Sequence, residues 1–208
     1  MDATTAEQTV HPQAAAGPAL PPRERILIAA RELFYRHGIQ GVGVETIAEA
    51  AGTNKMTLYR HFESKDLLVA EYLRRLSLEG ERIWAEIDAA HPGDPLAQIE
   101  AWLAAIGEHE TRRDDGGCAL VNAAIQISDP EHPGRKVIEQ SKRDHRERLI
   151  GLCRASGVRQ PELLADQLFL LVEGSRVSFR SFGSEATGAP DLKTLAAGII
   201  AAHRRSAA

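Results

Sequence analysis

Residues 44–63, VETIAEAAGTNKMTLYRHFE, constrain the fold more than any other stretch of the chain. They read as two short helices joined by a tight turn. Ala48 is small enough to let a second helix cross closely over the first. Gly52 follows where the turn must form and where a side chain would be costly. Leu58 then points back from the second helix toward Ile47 and Ala51 on the first. A small residue, a glycine and an aliphatic at this spacing meet the needs of a helix-turn-helix, whose second helix enters the major groove of duplex DNA. DNA binding is therefore the expectation.

The flanks agree. Residues 23–37, RERILIAARELFYRH, put Ile26, Ala29, Ala30, Leu33 and Phe34 on one face of a helix. Gly38 is its stop, after a last turn holding Arg36 and His37. Ser64 is a good N-cap for a further helix that starts with Lys65, Asp66 and Leu67. Helix, glycine stop, helix-turn-helix and then Tyr59-x-x-Phe62-x-x-Lys65 resembles the N-terminal domain of the TetR family of transcriptional regulators. That family's pattern reads roughly I-A-x-x-A-G-[VT]-x-x-x-[TS]-[LI]-Y-x-[YH]-F-x-[SN]-K. Here Ile47, Ala48, Ala51, Gly52, Thr53, Thr57, Leu58, Tyr59, His61, Phe62, Ser64 and Lys65 stand at those positions. The resemblance covers residues 22–75 at motif level and the remainder by length and helical character. One departure lies at Val42 and Gly43, where the family usually carries Thr or Ser. Gly43 can cap a helix but offers no side-chain acceptor, so fewer phosphate contacts are expected at that edge.

Aromatics make up only 5% of the chain and no alternating β-branched runs are flanked by turn residues, so an all-α fold is expected. Its organisation reads as a disordered tail (1–20), a three-helix helix-turn-helix domain (21–75, motif at 44–63) and a larger helical domain (76–208). The tail lacks the basic start and unbroken apolar core of a signal peptide. No run of about eighteen apolar residues could span a membrane, and a cytoplasmic location is expected. Two cysteines, Cys118 and Cys153, are too few for a disulfide framework and read as reduced thiols. Nothing near Cys118 favours a redox switch, and a redox role for either thiol stays open.

A net charge of −4 does not by itself suggest a nucleic-acid binder. Residues 21–75, however, hold nine basic and seven acidic side chains, whereas residues 76–208 hold sixteen and twenty. The positive surplus thus sits in the part that should meet phosphates. It is small, so affinity should rest on well-placed contacts and on two domains acting together.

The recognition helix should run from Asn54 or Lys55 to His61. Thr53, Asn54, Lys55, Met56 and Thr57 are assigned to its first turn, within reach of base edges. Lys55 could donate to guanine, and Met56 could touch a thymine methyl. Thr57 and Tyr59 offer hydroxyls to phosphates, with Arg60 and His61 toward the backbone at the far end. Lys65, at the start of the next helix, adds its charge to that helix's positive end, which suits a phosphate. Leu58, Phe62 and Ile47 read as core. Arg23 and Arg25 could reach DNA from the leading edge or serve as ordinary surface charge.

Beyond residue 65 the pattern predicts a long helix from Asp66 to Ala90, broken at His91-Pro92-Gly93-Asp94. A helix opened by Pro95 places Leu96, Ile99, Trp102, Leu103 and Ile106 together and ends at Gly116-Gly117. A short apolar helix over 118–127, a turn-rich loop over 128–134 and a charged helix over 135–155 follow. Residues 162–182 form a helix apolar on most sides in its first half, and after a gap at 183–190 a last helix runs to His203. Such a helix must be buried all round. Pairing of the last two helices with those of a second subunit would achieve that, which matches the homodimer that the resemblance implies. A two-fold dimer then reads a palindrome-like operator.

The resemblance further implies a repressor whose middle helices enclose a pocket for a small-molecule effector. Trp102 is a candidate wall, and Asn122 and Gln126 are candidate polar selectors. A constitutive helix-turn-helix protein without a ligand is the alternative. No cofactor is expected. Asp129, Glu131 and His132 lie in one Pro-rich loop without a second ligand cluster, so no metal site is assigned. The chain also lacks a nucleophile elbow, a phosphate loop, a His-Glu-x-x-His and a dinucleotide glycine pattern, so no enzyme is expected.

Overall fold

The computed structural model of the chain describes residues 20–112, 118–182 and 191–204, which hold nine α-helices and no strand. The expected tail over 1–19, the Gly116-Gly117 stop and the gap at 183–190 lie outside the described residues. In order the helices are α1 (Pro22–His37), α2 (Val44–Ala50), α3 (Lys55–Phe62), α4 (Lys65–Ala90), α5 (Pro95–Arg112), α6 (Ala119–Gln126), α7 (Pro133–Ala155), α8 (Pro161–Phe182) and α9 (Leu192–His203).

Local chemistry sets most of these ends. Proline occupies the first turn of α1, where its missing N–H is no loss. Asn54 caps α3 by accepting from the Thr57 amide at 2.9 Å, and Ser64 caps α4 by accepting from Leu67 at 3.1 Å. Asp94 does the same for α5, accepting from Ala97 at 3.1 Å. The charged helix α7 begins two residues before the expected start. Pro133 sits in its first turn, and His132 Nδ1 accepts from the Gly134 amide at 2.9 Å. The histidine thus does the work of an Asn or Ser cap.

Two apolar cores organise the helices. The first joins Ile26, Phe34, Ile47, Leu58, Phe62, Leu68, Val69 and Leu73 of α1–α4 with Ala123, Ile127 and Ile138 from around α6 and α7. The second gathers Trp84 and Ile87 of α4 with Ile99, Trp102, Leu149, Leu164, Leu168, Val172, Ala196 and Ile200. One half of α4 belongs to each core. Ion pairs reinforce its contact with α1. Arg75 holds Glu24 through two bonds of 2.7 Å, and Glu71 meets Arg74 at 2.7 Å and Arg23 at 3.2 Å. The Arg74 hydrogen bond outweighs desolvation and, helped by Arg23, draws the Glu71 carboxyl down to about 2. A lowered carboxylate supports the fold above its ordinary titration range and loses that contribution only as pH falls toward the folded value.

Candidate nucleic-acid interface

The α2–α3 pair is built around a close crossing. Ile47 and Leu58 are fully buried, and Ala48 and Ala51 nearly so. Gly52 adopts φ +60°, a left-handed conformation in which a Cβ is strained. The turn is closed by the Thr53 amide donating to the Ala48 carbonyl at 2.9 Å. Burying Leu58 and Phe62 turns the opposite face of α3 outward, and that face carries Lys55, Met56, Tyr59 and Arg60.

Among the described residues, Met56 is the most exposed large apolar side chain, at 82%. Lys55 Nζ lies 2.5 Å from Glu45 Oε1 on α2 and 5.9 Å from the Tyr59 ring centroid. The hydrogen bond between them raises the lysine's pKa and lowers that of the glutamate. To reach a base or a phosphate, Lys55 must leave Glu45. An exposed pair of this kind is screened by water and contributes little net stability, so a DNA anion can replace it.

Several expected contacts take a different geometry. Thr53 lies in the turn, outside α3, because Asn54 is the cap; the first turn therefore holds Lys55, Met56 and Thr57. The Asn54 carboxamide oxygen is committed to the Thr57 amide. His61 is half-buried, with Nε2 inside and without a hydrogen-bond partner, so that nitrogen is not presented at the surface. Lys65 donates to the Ile39 carbonyl at 2.7 Å, and burial pulls its pKa down. It ties the start of α4 to the loop between α1 and α2. The acceptor lies 26 residues away, and no local spacing announces it. The two arginines of the leading edge are also engaged: Arg25 reaches the Gly52 carbonyl at 3.3 Å, and Arg23 lies over the Phe62 ring at 5.1 Å.

Farther along, a cavity of about 150 Å³ opens among α1, α4, α5, α6, α7 and α8. Trp102 lines it and stacks on Trp84 with centroids 5.4 Å apart. Asn122 and Gln126 do not join it. They line a separate groove of about 380 Å³ against the end of α1, and there Gln126 Oε1 accepts from the Ile39 amide at 2.7 Å. Gln126 is thus a tether between α6 and the helix-turn-helix unit, and a ligand-selecting role does not fit its geometry. Removing the acceptor takes away the hydrogen-bond partner of the Ile39 N–H. Gln126→Ala should lower stability by about 1 kcal/mol and speed amide exchange at Ile39, measured by thermal unfolding and hydrogen exchange. Of the thiols, Cys118 is half-buried at the cavity. Cys153 is fully buried, and burial pushes it up to about 11, which makes it a poor thiolate.

A glycine-turned helix pair with a short, capped second helix facing outward defines a helix-turn-helix DNA-binding protein. The description "Bacterial regulatory proteins, tetR family" matches residues 26–72. The fold is also that of a TetR-type transcriptional regulator from Streptomyces avermitilis, at TM-score 0.73 and 30% identity, over 88% of this chain and 98% of that one. A TetR-family regulator from Streptomyces coelicolor superposes with TM-score 0.80 at 23% identity, over 88% and 96% of the two chains. The HTH-type transcriptional repressor DhaR of a Mycobacterium species is 26% identical over 164 residues, covering 74% of this chain and 80% of that protein. The chain belongs to the TetR family of transcriptional regulators: it binds DNA through its helix-turn-helix and is a regulator, not an enzyme. Among the described residues, no helix is long and apolar enough to cross a membrane.

Proposed function

We propose that this protein is a cytoplasmic repressor that binds a palindromic operator as a homodimer and is released by a small molecule. The observation that carries the dimer is the outer face of α8 and α9. Leu163, Leu170 and Val177 recur every seven residues along α8 and stand exposed, and Leu195 on α9 is exposed beside small residues such as Gly198 and Ala202. An apolar stripe on two adjacent helices suits burial against its own two-fold copy, giving a four-helix interface. Two recognition helices would then stand about 34–36 Å apart, one turn of B-DNA. Repression is the activity that the name of DhaR states for that relative.

In this reading residues 21–75 are the DNA-binding domain and 76–208 the effector and dimerisation domain. Lys55, Met56 and Thr57 face base edges, and Tyr59 and Arg60 face the backbone. The cavity beside Trp102 favours a ligand-responsive protein over a constitutive one. Release is a population shift. α4 runs from the exit of α3 into the cavity wall and shares a core with each half, so a ligand that prefers a tilted α4 changes the spacing of the recognition helices. Tenfold weaker operator binding needs about 1.4 kcal/mol of differential affinity.

The test begins with selection of bound fragments from random DNA. On the selected operator, Lys55→Ala combined with Tyr59→Ala should lower affinity on the order of 100-fold, from two contacts of about 1–3 kcal/mol each. Footprinting should show lost protection from a protein that is still a folded dimer; unchanged protection refutes the assignment.

A further inference from the structure

Among the described residues, the cavity's wall has an unbalanced charge. On one side Arg31 of α1 and Glu79 of α4 pair through both guanidinium nitrogens, one bond measuring 2.9 Å, and cancel each other. On the other side one carboxylate serves two cations. Lys142 Nζ lies 2.5 Å from both oxygens of Glu173, and Arg176 Nη1 lies 2.9 Å from Oε1 of the same group. These side chains are only 21%, 25% and 18% exposed in the order Lys142, Glu173, Arg176. Uncompensated charge away from water is expensive, and a bound anion is the direct remedy.

His145 does not add to the positive charge. Its Nδ1 lies 2.7 Å from the Ser141 carbonyl, which can only accept, so Nδ1 carries the proton. Burial first, then Arg176 and Lys142, hold its pKa below the ordinary range, while the Ser141 hydrogen bond and, less strongly, Glu173 oppose them. The ring is therefore neutral, and its Nε2 offers an acceptor. Ser141 and Cys118 also line the wall, and most of the remainder is apolar, with Trp102, Phe169, Ile83 and Leu120. A volume of about 150 Å³ is that of a site which takes a single benzene-sized ring.

We infer that the effector is a small organic monoanion, a carboxylate on an apolar body the size of one ring, with its charge held by Lys142 and Arg176. This rests on the reading of the cavity as the effector site. Its probes are benzoate, benzamide and benzamidine, which share one shape and carry charges of −1, 0 and +1. Titrated calorimetrically into the full-length protein, benzoate should bind at least about tenfold tighter than benzamide, with benzamidine weakest. Glu173→Gln frees both cations and should tighten benzoate binding, where a merely structural glutamate would loosen it. Lys142→Gln removes the surplus charge and should erase the preference for benzoate over benzamide.

Equal binding of benzoate and benzamide, the reverse charge order, or no binding of any probe at millimolar concentration overturns the inference. A final arm adds benzoate to the complex with the selected operator. Charge-ordered binding that leaves DNA affinity unchanged supports the ligand class and overturns the effector reading instead.

Discussion

Leu170→Glu should turn the proposed dimer into monomers and lower operator affinity by a factor on the order of 10²–10⁴, the gain that two linked half-sites can give. Leu170 is 68% exposed on α8, midway along the stripe from Leu163 to Val177. A charge there meets its own copy across a two-fold axis, so both desolvation and like-charge repulsion oppose association. The subunit itself should hardly notice. Leucine and glutamate have similar helix propensity, and an exposed position tolerates exchange within about 0.5 kcal/mol. Analytical ultracentrifugation and a DNA shift assay on one preparation decide the matter. A variant that stays dimeric at micromolar concentration removes α8 from the interface.

The second large effect is on stability. Leu58→Ala should destabilise the N-terminal core by about 2–5 kcal/mol, since the residue is fully buried where α3 crosses α2 and the site cannot easily collapse. Against a total stability of about 5–15 kcal/mol, that is enough to melt the helix-turn-helix unit at moderate temperature. Met56→Ala, two residues away on the outer face, should leave unfolding unchanged while weakening DNA binding. Thermal unfolding followed by circular dichroism separates the two, and equal melting of both variants would remove Leu58 from the core.

Features written in local spacing were legible in the sequence. The recognition helix expected from Asn54 or Lys55 to His61 runs from Lys55 to Phe62, and Gly52 has the positive φ that the turn required. Ser64 caps α4, and Pro95 opens α5. What escaped were bonds between residues distant in the chain. The pairs Gln126–Ile39 and Lys65–Ile39 both converge on the loop after α1, and each partner alone looks like an ordinary polar surface residue. Helical periodicity put Asn122 and Gln126 on one face correctly. It could not say which neighbour that face would meet. The same limit applied to Lys142, Glu173 and Arg176, whose shared site exists only once α7 packs on α8.

The stacked indoles carry a practical consequence. The chain has two tryptophans, and both stand in that stack, one of them on the cavity wall. Its intrinsic tryptophan emission therefore originates from a single spot beside the proposed small-molecule site, so the native chain would serve as its own unlabelled optical gauge of occupancy.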